Sequence, residues 1–188
     1  MGLKNKREKG QSLIGVVIFA IILMILVLGA TGATVLSFTL NKRLKDRAEA
    51  QDIAKNIIET IKVWSGNSLD NFQAIKENEK PGAQGAIPAI PTISPAIPAD
   101  PSSGDMIYTQ FLNIPQVNGS PKYAIQFLIK DYYQPGTSTV ILKRITIRVY
   151  YAKRNGKIDT NFHKPGSGSP PKRYENPLAE IVGVISRP

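Results

Sequence analysis

The chain has 188 residues, a formal net charge of +10 and no cysteine. That length allows one domain with an appendage. The absence of cysteine excludes disulfide frameworks and thiolate metal sites and leaves the redox compartment open. The basic balance favours acidic partners such as anionic lipid, acidic cell-wall polymer or nucleic acid, without selecting among them.

The first ten residues, MGLKNKREKG, place Lys4, Lys6, Arg7 and Lys9 against a single acid, Glu8. From Leu13 to Leu40 no residue is charged. As a helix at about 1.5 Å per residue this run reaches roughly 42 Å, enough to cross a hydrocarbon core about 30 Å thick. The basic flank predicts a cytoplasmic N-terminus, with everything after about Lys42 facing outward. Gly29 and Gly32 predict a local unwinding or a close helix contact. A cleavable secretory signal would use GATGA, Gly29 to Ala33, as its cut. It needs an apolar region of about 7–15 residues, whereas here the run continues through Val35, Leu36, Phe38 and Leu40.

Asn41 to Trp64 continues without Pro or Gly. Ile53, Ile57, Ile61 and Trp64 recur at helical spacing beside Ala50, Ala54 and Ile58, with Lys55 and Lys62 on the polar side. Ser65-Gly66 predicts the stop. Residues 67–105 are read as a Pro-rich loop region. Within it, from Asn78 to Gly104, AIP occurs three times; proline fixes φ and removes the backbone donor, so helix and central strand are excluded in that stretch. The segment is an extended spacer or a proline-rich docking segment.

Residues 106–188 read as strands. Met106–Pro115 is rich in β-formers and NGSP follows as a turn. In Lys122–Tyr133, Tyr123, Ile125, Phe127 and Ile129 share one face, and Lys122, Gln126 and Lys130 the other. In Ser138–Arg154, Ile141, Ile145, Ile147 and Val149 point one way and Arg144, Thr146 and Arg148 the other. Asn155-Gly156 is a hairpin signal, and a last strand spans Leu178–Ile185. The expected fold is α+β: three or four antiparallel strands with one apolar face. The amphipathic half of the N-terminal helix, 41–66, is the helix available to cover that face.

These parts together resemble the type IV pilin and pseudopilin superfamily. The resemblance rests on Lys9-Gly10, Gln11-Ser12, Leu13-Ile14 and the apolar run after them, which parallel the prepilin cleavage and methylation motif. It covers about the first 35 residues in motif and the whole chain in layout; the sheet carries no family signature. It implies cleavage between Gly10 and Gln11 by a prepilin peptidase and N-methylation of Gln11. It also implies packing against other pilin subunits in a type IV pilus-like, type II secretion or competence filament, driven by an assembly ATPase and a membrane platform. The departure is Gly15, which stands where most family members carry a glutamate. It implies a minor subunit, or a system that dispenses with the acid.

No cofactor and no catalysis are expected. The single histidine, His163, lies in a Pro/Gly-rich loop and reads as a solvated surface residue that cannot build a multi-histidine metal site. Asn155 to Asn161 offers oxygen ligands but one acid, Asp159, with Lys157 among them, so calcium is disfavoured. Arg144, Arg148, Lys122 and Lys130, beside Tyr150, would make a basic sheet face. It reads either as a solvated face whose charges discourage edge pairing or as a DNA- or polyanion-binding surface. A static membrane-anchored extracytoplasmic domain is the remaining alternative.

Overall fold

The computed structural model describes residues 4–79, 85–90, 97–98, 106–108, 115–117, 119–154, 157–166 and 174–188, with the backbone alone for 4–12, 97–98 and 106–108. Two units emerge, Met1–Lys45 and Asp46–Pro188. Without a proline to interrupt it, α1 runs from Lys4 to Gly66 and supplies residues to both. In the first unit the helix is unbroken at Gly29 and Gly32, so the expected unwinding does not occur. Every side chain from Leu13 to Leu40 is exposed. Thr31, Thr34 and Thr39 return their hydroxyls to the carbonyls of Val27, Ala30 and Val35 at 2.8, 2.8 and 2.9 Å. These three threonine hydroxyls are therefore satisfied by the helix's own carbonyls in an apolar setting. Among the described residues, this is one helix long and apolar enough to cross a membrane.

In the second unit the remainder of α1 meets a four-stranded antiparallel sheet. Its strands are β3 (Met106–Tyr108), β6 (Tyr123–Tyr133), β7 (Val140–Tyr151) and β8 (Ala179–Ser186), in the order β3-β6-β7-β8. The predicted stripe is the contact. Ala50, Ala54, Ile57, Ile58 and Ile61 are buried with Tyr123, Ile125, Phe127, Ile129, Ile145, Ile147 and Val149; Ile53 and Trp64 pack at the margin. Each fully buried large apolar side chain contributes about 1.5–3 kcal/mol relative to exposure. Two short pairs complete the strands: β1 (Ala86–Ile87) with β2 (Ile97–Pro98), and β4 (Gln116–Val117) with β5 (Ser120–Pro121). Gly119, at φ +74°, takes the turn of the second pair, where NGSP predicts one. The rest of the expected Met106–Pro115 strand, 109–114, and the Asn155-Gly156 turn lie outside the described residues; Ala152 and Ile158, flanking the latter, form an antiparallel bridge.

Four expectations are corrected. The region 67–105 is not loop throughout, because Leu69–Ala74 forms α2. Ser68 caps it by accepting from Asn71 N at 3.1 Å, and Phe72 enters the core, so α1 is not the sole helix on the sheet. Ile141 is exposed rather than core: the register shifts between Tyr132↔Leu142 and Tyr133↔Val140, leaving Ile141 without a register partner in β6 at a bulge. The second sheet face is covered over much of β6 and β7, while Lys130, Val182 and Val184 stay exposed on it. Ala124, Gln126, Leu128, Thr146 and Tyr150 are buried, and Ala124 and Tyr150 form a second cluster with Ile158. His163 is buried, for reasons that lie in its hydrogen bonds.

Candidate functional sites

Gly10 and Gln11 lie within the helical backbone of α1. Gly15 has nothing within 4 Å of where a Cβ would stand, so packing within the chain does not require a glycine there. After Glu8 the next acid is Asp46. No carboxylate of the apolar segment therefore stands ready to meet a buried positive charge.

The four basic residues singled out on the sheet do not form one open surface. Lys122 leaves the strand face and reaches the helix, where its ammonium lies 2.8 Å from Asp46 Oδ1 and 2.5 Å from Glu49 Oε2. The Arg144 guanidinium donates to both Glu79 carboxylate oxygens at 3.2 Å. Arg148 Nε lies 2.9 Å from Glu180 Oε2, an ion pair whose Nε geometry falls short of a hydrogen bond. Lys130 alone of the four has no carboxylate partner among the described residues; it is exposed and stands over the Tyr132 ring at 5.5 Å. Matched charges contribute little long-range field, so the face draws a polyanion far less than the residue count implies.

What the alternation of the strands does not disclose is a polar clasp between helix and sheet. Asp46, buried, and Glu49 face the sheet from α1. Lys122 bridges them, Tyr123 OH donates to Glu49 Oε2 at 2.7 Å, and Tyr151 OH donates to Asp46 Oδ2 at 2.8 Å. Hydrogen bonds from Lys122 and then Tyr123 hold the Glu49 carboxyl below its ordinary pKa, against a smaller opposing effect of burial. Burial works against the Lys122 charge, but the bonds to Asp46 and Glu49 outweigh it and its pKa rises. Burial also pushes the Tyr123 phenol up. The i, i+3 spacing of Asp46 and Glu49 is the one signal of this clasp in the sequence.

His163 occupies a buried site beside Tyr151. Its Nε2 accepts from Tyr151 N at 3.1 Å and its Nδ1 lies 2.9 Å from Asn176 O, which requires the neutral tautomer protonated at Nδ1. The ring also meets Tyr150 edge-on, with centroids 5.0 Å apart. Burial lowers its pKa, with the Asn176 and Glu175 backbone and Asp159 opposing. Asp159 itself shapes the turn, its Oδ1 accepting from Asn161 N at 3.0 Å. Among the described residues no three His, Cys, Asp or Glu side chains gather to hold a metal. Compared with family models, curated proteins and solved structures, the chain matches none.

Proposed function

We propose that this chain is a minor pilin-like or pseudopilin-like subunit. In this reading a prepilin peptidase cuts it between Gly10 and Gln11 and Gln11 is methylated. The subunit then joins or primes a type IV pilus-like or type II secretion filament. One juxtaposition carries the reading: Lys9-Gly10-Gln11-Ser12-Leu13-Ile14 opens a charge-free run on the helix whose later Ile and Ala stripe covers an antiparallel sheet. Before the cut, Lys4, Lys6, Arg7 and Lys9 hold the helix in place, since moving charges through hydrocarbon costs several kcal/mol at least. After it, no charged side chain remains until Lys42, and the segment can leave the bilayer for a core of neighbouring helices. Gly15 supports the minor role. Without an acid near its start, the helix cannot neutralise the amine of a neighbouring subunit buried in that core.

The test is the intact mass of the chain co-expressed with a prepilin peptidase. Loss of the first ten residues, blocked by Gly10→Ala, is the expected result. Full-length protein indifferent to Gly10→Ala would favour a static membrane-anchored domain instead.

A further inference from the structure

The core face of the sheet ends in an ion pair. Asp131 and Lys143 are cross-strand partners, in phase with Phe127, Ile129, Ile145 and Ile147. Lys143 Nζ lies 2.9 Å from Asp131 Oδ1, with side chains 4% and 10% exposed. A buried pair of this kind seldom stabilises a fold more than an apolar pair would. The ammonium carries three donors, and its one hydrogen bond among the described residues goes to Asp131. It also stands 5.0 Å from the centroid of the Phe72 ring.

Lys143, Asp131 and Phe72 all line a cavity of about 440 Å³ where α2, the turn between β6 and β7 and the chain end converge. Such a volume falls within the roughly 300–1,000 Å³ of small-molecule sites. Around it the cations Lys76, Lys143 and Arg187 face the carboxylates Glu77 and Asp131, leaving one positive charge in excess. Ser138 and Thr139 add hydroxyls, and the half-buried Val140 an apolar wall.

We propose that this cavity binds a small hydroxylated monoanion, with the chemistry of a hexuronic acid. The carboxylate takes the unused donors of Lys143 and the charge of Arg187, the hydroxyls meet Ser138 and Thr139, and the ring rests on the apolar wall. The site is independent of the filament reading.

The test is calorimetric titration of the full chain in detergent micelles with glucuronate, with glucose as the neutral control. Glucuronate is expected to saturate at millimolar concentration and glucose not to bind. Arg187→Gln, at an exposed position, should weaken glucuronate roughly two- to fivefold, and Lys143→Met about tenfold or more. A glucuronate-containing oligosaccharide that binds more tightly than the monomer assigns a polymer source; equal binding assigns the free acid. Absence of saturable binding, equal binding of glucose, or undiminished binding by Arg187→Gln would each overturn the proposal, whether or not Lys143→Met folds.

Discussion

Gly183 of β8 lies against Ile58 of α1 so closely that a Cβ built on the glycine would overlap Ile58 Cγ1 and stand 2.5 Å from its Cδ1. Lys62 Cε would be 3.3 Å away. Gly183 pairs with Ile145, a fully buried core residue, so the helix crosses the sheet where one strand has no side chain. Overpacking at such a point costs about 1–3 kcal/mol. Gly183→Ala should therefore lower the urea midpoint of the chain in micelles, read by the fluorescence of its single tryptophan, Trp64. In an Ile58→Ala background the space is free and the added cost of Gly183→Ala should shrink. An equal cost in both backgrounds would show that the close approach is not the cause.

The clasp at Lys122 should be strongly coupled. Lys122→Met leaves Asp46, 7% exposed in its side chain, with one carboxylate oxygen stripped of its cation. Breaking a buried pair costs about 3–5 kcal/mol and an exposed one less than about 1. Lys122, 23% exposed, belongs between them, at roughly 1–3 kcal/mol. A double-mutant cycle with Asp46→Asn checks it. Additive losses would mean that the two groups are neighbours without being partners.

The helical stripe and the three long strands are legible in the sequence because both are local periodicities. The stripe from Ala50 to Trp64 and the alternation of Tyr123–Ile129 and Ile145–Val149 each correspond to one buried face. What periodicity cannot carry is a partner far along the chain. Ile141 keeps the parity of Ile145 yet turns outward, because the bulge is a mismatch between two strands and not a property of either. Gln126 and Tyr150 look polar but are buried, and the Tyr150 hydroxyl donates to Tyr174 O at 3.1 Å from a segment with no periodicity. Arg144 and Arg148 look like a basic surface until Glu79 and Glu180 are brought to them. Lys143, by contrast, was in phase with the core all along, and its charge concealed it.

His163 makes stability depend on pH. Its folded pKa lies below the ordinary value of about 6.5, so below about pH 6.5 the unfolded chain binds the proton more readily than the folded one. The contribution is complete above the unfolded pKa and is lost as pH falls through the folded one. Protonation of Nε2 also removes the acceptor of Tyr151 N. The urea midpoint should fall between about pH 7 and pH 5, and His163→Gln should flatten that part of the profile. A profile unchanged by the substitution would assign the loss to other groups, with Glu49 the first to consider at lower pH, since its pKa is also depressed.

Gly15→Glu tests whether the absent acid restricts the subunit to a minor place. After cleavage the new amine at Gln11 and a glutamate at position 15 stand four residues apart on one helix face, where opposite charges attract. Within a filament core the carboxylate would meet the amine of an adjoining subunit, a pairing that removes a burial cost of several kcal/mol. Gly15 has open space around it within the chain, so the fold does not resist the change. The expected outcome is unaltered cleavage together with a higher ratio of this subunit to the others in sheared filaments, measured by quantitative mass spectrometry. If the ratio stays at its original value while cleavage proceeds, Gly15 does not set the place of the subunit. The restriction would then lie in the sheet unit, where substitutions on the exposed edge of β8 at Val182 and Val184 are the next to measure.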